Sequence, residues 1–127
     1  MSDFSGSIAA SAAGMVAQAA RLRHVSENIS NADTPGYRRK TVPFETGRGE
    51  AGLVQVGRVK LDQSELETIH DPSHPLADAS GNYRGSNVQL MIEIADAREA
   101  QRSYEANLKM FDQTRQMSSA LLDLLRN

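Results

Sequence analysis

An uninterrupted stretch at the C-terminal end of the chain constrains the fold more than any other feature. Residues 87–127 contain neither glycine nor proline, the two residues that most strongly disfavour a helix interior. Ser86 or Asn87 can cap a helix here, and Ser86 with Gln89 has the spacing of a capping box. About 38 helical residues would span roughly 57 Å, far more than an average globular helix. A helix of this length requires a partner surface of similar length.

Apolar side chains on this helix form two neighbouring seams. The first seam consists of Leu90, Ile94, Ala97, Gln101, Tyr104, Leu108 and Phe111. The second consists of Ala100, Ser103, Asn107, Met110, Thr114, Met117, Leu121 and Leu124. Because one seam serves one partner helix, two seams predict contact with more than one helix.

A second helix is predicted near the N-terminal end, from residue 5 to about residue 30. Its seam has spacings of four and three, with one polar member, and consists of Ile8, Ala12, Met15, Ala19, Leu22, Ser26 and Ile29. Seven alanines between Ala9 and Ala20 also favour a helix. This helix is too short to cover both seams of the longer one. We therefore expect other copies or related subunits to cover the remainder.

The middle of the chain, residues 37–86, has strand and loop patterns instead. Residues 54–56 and 59–61 alternate like strands, and Gly57 between them predicts a bulge or a tight bend. Residues 41–44 predict a short edge strand, and residues 71–85, from Asp71 through Gly81 and Gly85, predict loop. The chain thus divides into segments 1–36, 37–86 and 87–127. The predicted fold is mainly α with a small β insertion: the terminal helices pack as a coiled-coil-like pair, and the β-rich middle has extended loops.

Composition excludes several classes of protein. With three Phe, three Tyr and no Trp, the core must be thin or shared with neighbours. The balance of 14 basic and 16 acidic residues gives no case for a nucleic-acid partner. Residues 4–20 are uncharged but consist largely of Ala, Ser and Gly, and an acidic residue precedes them, unlike a secretory signal. If the protein leaves the cytoplasm, we expect export without a cleaved signal peptide.

No group of residues has the pattern of a catalytic or metal site. The spacing of His70, Asp71, His74 and Asp78 matches no strong zinc pattern. The acids Glu93, Asp96 and Glu99 have no histidine partner at a matching spacing, so we interpret them as surface or intersubunit charges. The sequence therefore predicts a protein that is not an enzyme, with no cofactor, no metal and no small-molecule substrate.

The densest motif lies where the first helix ends, over residues 28–37. Asn31 tolerates the left-handed conformation found at helix ends. Pro35 and Gly36 suit the two central positions of a type II turn, and Tyr37 then begins an extended run. Taken alone, these residues predict a helix end followed by a turn, with Asn28, Asn31, Pro35, Gly36 and Tyr37 as its defining members.

Residues 28–38, Asn-Ile-Ser-Asn-Ala-Asp-Thr-Pro-Gly-Tyr-Arg, resemble the N-terminal signature of the flagellar rod, hook and hook-associated proteins. Residues 87–90 and 100–107 resemble the C-terminal helix motif of the same family. Two motifs in the right order are more specific than either alone. Residues 37–44, 71–81 and 93–100 are further similar to the short subunits of the proximal rod.

The resemblance implies a structural subunit of the flagellar basal-body rod, which transmits torque. It implies helical packing of both terminal helices around the export channel, with other copies and other rod proteins as partners. It also implies export in unfolded form through the flagellar type III apparatus. A cytoplasmic helical adaptor or chaperone-like binding module is the alternative, and localisation separates the two. From the seams we expect an assembly interface of Ile8, Met15, Leu22, Ile29, Tyr104, Leu108, Phe111, Met117, Leu121 and Leu124.

Overall fold

Two long helices dominate the computed structural model, which describes residues 2–47, 49 and 52–126. Helix α1 spans Ser2–Ser30 and helix α2 spans Leu90–Arg126, about 44 and 56 Å long at 1.5 Å per residue. Gly14 of α1 lies against Asn107, whereas Asn28 lies against Glu93, so the two helices pack antiparallel. The predicted fold class is therefore confirmed: paired terminal helices enclose a middle of small strands. Within the described residues, neither helix combines the length and hydropathy that a membrane span requires.

The start of α2 differs from the sequence prediction. The helix begins at Leu90, and the backbone N–H of Glu93 donates to the carbonyl of Gln89 at 3.1 Å. The hydroxyl of Ser86 instead donates to the carbonyl of Ala32, and the Asn87 side chain accepts the backbone N–H of Arg39 at 2.7 Å. The predicted capping box was wrong, because the helix begins later and the Ser86 hydroxyl accepts the N–H of Val88, at 3.3 Å, rather than that of Gln89.

Among its described residues, the middle segment contains three antiparallel two-stranded ribbons. Its strands are β1 (Lys40–Thr41), β2 (Phe44–Thr46), β3 (Val54–Val56), β4 (Lys60–Leu61), β5 (Thr68–His70) and β6 (Asn82–Arg84). Strand β1 pairs with β4 and β2 pairs with β3, which makes one long hairpin with an interruption. Strands β5 and β6 form a second hairpin that leads into α2. Strands β1 and β3 lie against α1, so the first hairpin rests on the helix pair.

The strand predictions succeeded where the pattern was apolar. Strand β3 and the bend at Gly57 are confirmed: the Gly57 N–H donates to the Pro43 carbonyl at 2.8 Å, and an added Cβ would lie 2.9 Å from the Pro43 ring. The single strand predicted at residues 41–44 is split into β1 and β2, because Pro43 has no N–H for the ladder. Strand β6 lies inside the stretch predicted as loop, so that prediction was wrong. Its sequence, Asn-Tyr-Arg, has no apolar alternation.

The interior of the described chain is small and more polar than apolar. The buried apolar residues are Ala17, Val25 and Ala100, and the buried polar ones are Ser11, Asn28, Ser86 and Glu93. Of the two expectations, a thin core or a core shared with neighbours, the single chain shows the first. At Gly14 an added Cβ would lie 2.8 Å from the Asn107 side chain, so glycine permits close approach of the helices there.

Candidate functional site: the helix junction and the exposed face of α2

The turn after α1 has the predicted geometry. The Tyr37 N–H donates to the Thr34 carbonyl at 3.1 Å, with Pro35 and Gly36 between them. Gly36 has a φ of 76°, which a type II turn requires at its third position. The Gly36 N–H also donates to the Gly85 carbonyl at 3.1 Å, so the turn is joined to the end of the second hairpin.

Asn31 does not adopt the left-handed conformation that asparagine tolerates at helix ends. Among the described residues, only glycines have positive φ. The Asn31 backbone N–H and its side-chain amide both donate to the carbonyl of Glu27, at 3.1 and 2.9 Å. Helix α1 therefore ends by further turns in the helical sense, with the Asn31 side chain bound to one of its last carbonyls.

The side chain of Asn28 connects three parts of the chain. It is 0% exposed, and its Oδ1 accepts the Tyr37 hydroxyl at 2.7 Å and the Lys40 backbone N–H at 2.9 Å. Its Nδ2 donates to the Lys40 carbonyl at 2.9 Å and to Glu93 Oε2 at 3.3 Å. A primary amide has two donor hydrogens and an oxygen with two lone pairs, so all four of its hydrogen bonds are formed. This one residue thus holds α1, the extended segment and α2 together.

Glu93 is the buried charge that meets Asn28, and it is also 0% exposed. Its other oxygen accepts Nε of Arg39, whose Nη2 donates to Asp96 at 2.7 Å. Arg21 adds contacts to Asp96 at 3.4 Å and to Glu99 at 3.3 Å. Burial alone would lower the pKa of Arg39, but the hydrogen bond to Glu93 and the nearby carboxylates outweigh it and raise that pKa. The buried carboxylate therefore has a permanently charged partner, as burial of a charge requires.

Lys40 and Glu27 form an ion pair beside this cluster. The hydrogen bond from Lys40 lowers the pKa of Glu27 and raises the pKa of Lys40 itself. Burial, followed by the charge on Glu27, raises the pKa of Tyr37, so its hydroxyl stays protonated and can donate to Asn28. We refer to the bonded set as the junction, which consists of Asn28, Tyr37, Arg39, Lys40, Glu93 and Asp96.

Sequence reasoning identified part of the junction and missed the rest. The motif picked out Asn28 and Tyr37, but Glu93 was interpreted as a surface or intersubunit charge, and its complete burial corrects that. The spacing along the helix could have predicted this burial. Glu93 is four residues before Ala97 and seven before Ala100, so it lies on the face of α2 that meets α1. The junction can fix the angle and register of the two helices, which is a structural rather than a chemical task.

The expected assembly residues fall into two groups in the single chain. Ile29, Leu108, Met117, Leu121 and Leu124 are exposed, by 37–74%. Ile8, Met15, Leu22, Tyr104 and Phe111 are half-buried in the chain itself. Their assignment to an interface between copies stays a prediction.

The seam predicted for α1 is rotated relative to the face that α2 covers. The buried residues of α1 are Ser11, Ala17, Val25 and Asn28, whereas Ala19 and Ser26 of the predicted seam are exposed. The contact face includes polar and glycine positions that an apolar pattern does not detect. On α2 the face against α1 combines members of both predicted seams, among them Ala97, Ala100, Tyr104 and Phe111.

Both terminal helices match models of known protein families. Residues 8–38 match the family described as flagella basal body rod protein. Residues 79–124 match the family described as flagellar basal body rod FlgEFG protein C-terminal. The first match contains Asn28 and the type II turn, and the second contains Glu93 and Asp96. The helix pair and its junction thus define a protein of the flagellar rod class.

Three relatives share most of their length with this chain, and each is named flagellar basal-body rod protein FlgC. The Agrobacterium fabrum protein is 44% identical over 123 residues, covering 89% of this chain and 88% of the relative. The Salmonella typhimurium protein is 34% identical over 119 residues, covering 87% and 89%. The Bacillus subtilis protein is 31% identical over 143 residues, covering 93% and 95%. The chain belongs to the FlgC family of flagellar basal-body rod proteins, and it is a structural subunit of the rod.

Proposed function

We propose that this chain builds the proximal part of the flagellar rod by helical assembly with copies of itself and with other rod proteins. The assembled tube encloses the export channel and transmits torque. One observation carries the proposal: the single chain leaves large apolar side chains of α2 uncovered near the start of the helix and over its second half. These are Leu90, Met91, Ile92, Ile94, Leu108, Met110, Met117, Leu121, Leu122, Leu124 and Leu125. Exposed large apolar side chains in this number are typical of a protein interaction site.

We infer a division of labour between the three segments of the chain. Segments 1–36 and 87–127 form the part that packs in the tube, and segment 37–86 contacts neighbours from its outer side. The exposed apolar residues of α2 support the first role. The two-stranded ribbons, which lie on α1 and carry exposed Phe44, Val59 and Leu61, support the second.

We propose that the protein is exported unfolded through the flagellar type III apparatus and keeps its N-terminal residues. Ala17 and Ser11, which lie in the uncharged stretch 4–20, are buried parts of α1. Removal of a segment of signal-peptide length (about 15–30 residues) would destroy much of the helix pair. Mass spectrometry of the protein from basal bodies should find residues 2–20 intact, and their loss would refute this part of the proposal.

We propose that the role is structural and involves no catalysis. The carboxylates of Glu93 and Asp96 are bound by Arg39, so at this cluster the acidic groups serve to join chain segments. The decisive experiment is fractionation of cells that express a tagged copy in place of the native gene. A rod subunit will co-purify with isolated basal bodies and will be required for motility. A soluble adaptor would remain in the cytoplasmic fraction, and that result would overturn the proposal.

A further inference from the structure

One side of the second half of α2 is apolar, exposed and uncharged. Met110, Met117, Leu121 and Leu124 are exposed by 37–74%, and we call these four residues the apolar flank. At about 100° per residue they fall within an arc of about 60° on the helix. The charged residues of this region occupy the other half of the helix circumference, and they are Lys109, Asp112, Arg115, Asp123 and Arg126.

Helix α1 of the same chain does not cover this flank. It meets the neighbouring face of α2, where Ala100 is buried and Asn107 touches Gly14. The contacts of Gly14 with Asn107 and of Asn28 with Glu93 set the antiparallel register. In that register the first described residue of α1 lies opposite about residue 119, by the rise per residue that both helices share. Leu121 and Leu124 therefore extend past the end of α1.

A surface with matching properties exists on the opposite side of α1. Val16 is 68% exposed, and its position on the helix is roughly opposite the buried residues Ser11 and Val25. The surrounding stretch, residues 4–20, contains no charged residue. An uncharged helix surface can cover the apolar flank without the desolvation of any charge, which would otherwise oppose the contact. The charged half of α2 could not cover the apolar flank in this way, because its charges would lose their hydration.

We propose that the apolar flank of α2 binds the Val16 side of α1 in a second copy of this chain. The proposal rests on the proposed assembly function and names the two surfaces that meet. Because these surfaces differ, the contact is heterologous, and each copy uses its flank toward one neighbour and its Val16 side toward another. Repetition of the contact produces a ring or an open helix in which α1 and α2 helices of successive copies alternate.

The test uses engineered cysteines, since the chain has none of its own. Val16→Cys is combined in turn with Met110→Cys, Met117→Cys or Leu124→Cys. In the matched controls, Val16→Cys is combined with Lys109→Cys, Gln116→Cys or Asp123→Cys, each one residue earlier on the helix and also exposed. Basal bodies isolated from cells grown under reducing conditions are oxidised and separated on a non-reducing gel, with single-cysteine variants beside them.

At least one flank pair should give a ladder of dimers and larger multimers, with at least tenfold less product in its control pair and in the single variants. Dimers without larger species would indicate a contact of identical surfaces and would overturn the proposal. Equal or stronger cross-linking in the control pairs would also overturn it. If the variants are present in basal bodies and support motility but no flank pair cross-links, the contact is wrong while the rod function stands. Absence of the unaltered protein from basal bodies would refute the rod function itself.

Discussion

The side chains of Asn28 and Glu93 are 65 residues apart in the chain, yet they meet at 3.3 Å, and both residues are completely inaccessible to solvent. Asn28 is in the last turn of α1 and Glu93 is in the first turn of α2. The contact joins a motif that matches one family model to a helix that matches another. The position of the two helices relative to each other therefore depends on a polar contact at one end of the pair.

Asn28→Asp should strongly destabilise the helix pair. The substitution removes the donor that meets Glu93 and places a second carboxylate beside it without solvent, which costs on the order of 3 kcal/mol. Asn31→Asp is the matched control, because Asn31 lies in the same turn and loses only its side-chain bond to Glu27. For the control we expect the free energy of unfolding to fall by less than about 1 kcal/mol. Urea unfolding followed by circular dichroism measures both, and equal losses would contradict the central role of Asn28.

The ion pair of Glu27 with Lys40 should contribute to stability only above acid pH. The hydrogen bond from Lys40 holds the pKa of Glu27 below its usual range. A carboxylate with a lowered pKa stabilises the folded state above its unfolded pKa of about 4.3, and this contribution is lost as the pH falls through the lower folded value. The destabilisation by Glu27→Gln should thus be full at about pH 6 and smaller near pH 3. Unfolding curves at both pH values test this, with Glu105→Gln, at an exposed position of α2, as the control. If Glu27→Gln destabilised the protein equally at both pH values, the ion pair of Glu27 with Lys40 would not be the source of the stability.

Leu108→Asp should be exported but should fail to complete a rod, so that the cells do not swim. Leu108 is 41% exposed in the single chain, and we expect a neighbouring subunit to cover it. A carboxylate without a partner in an apolar contact costs several kcal/mol, and every copy carries the defect. Lys109→Gln, on the adjacent exposed position, should leave the cells motile. Motility assays with matched protein levels decide the question, and normal swimming of the Leu108→Asp strain would show that the seam is misassigned.

The isolated monomer should be protected from amide exchange mainly near the junction. Along α2 the buried residues are Glu93 and Ala100, and the helix beyond them is covered less. Few buried contacts give low local stability, so we expect amides 104–124 to exchange at least about tenfold faster than those near Val25 and Ala100. Hydrogen–deuterium exchange at low micromolar concentration measures this. Equally slow exchange along the whole of α2 would mean that the monomer is rigid without neighbours.

The sequence predicted the elements whose signal is local. The long α2 was evident from the lack of glycine and proline, and the type II turn was evident from Pro35 and Gly36 with their known preferences. Strand β3 alternates and was found, but β5 and β6 do not. Their pairing depends on contacts such as the hydrogen bond between His70 and Asn82 and the stacking of His74 on Tyr83. Such contacts join residues that have no periodic apolar pattern.

The site was only partly predictable for a related reason. An apolar pattern identifies the side of a helix that avoids water, but α1 and α2 meet through Ser11, Gly14 and Asn28 as well as Val25. Asn28 is favourable there because its partners satisfy its amide, and Gly14 is favourable because it accommodates Asn107. Glu93 illustrates this, since its burial makes sense only once Arg39 and Asn28 are placed beside it. Partners distant in the chain are not visible in a local pattern.

The junction can form only after both of its halves, which are far apart in the chain, have emerged. Asn28 leaves a ribosome or a narrow conduit early, but one of its four hydrogen bonds awaits Glu93, after roughly three-quarters of the 127 residues have passed. Until then the Asn28 amide is hydrated and α1 has no second helix to lie against, so a partly emerged chain gains little by folding. If the subunit is exported unfolded, as proposed above, the late passage of Glu93 delays closure of the helix pair until most of the chain has emerged.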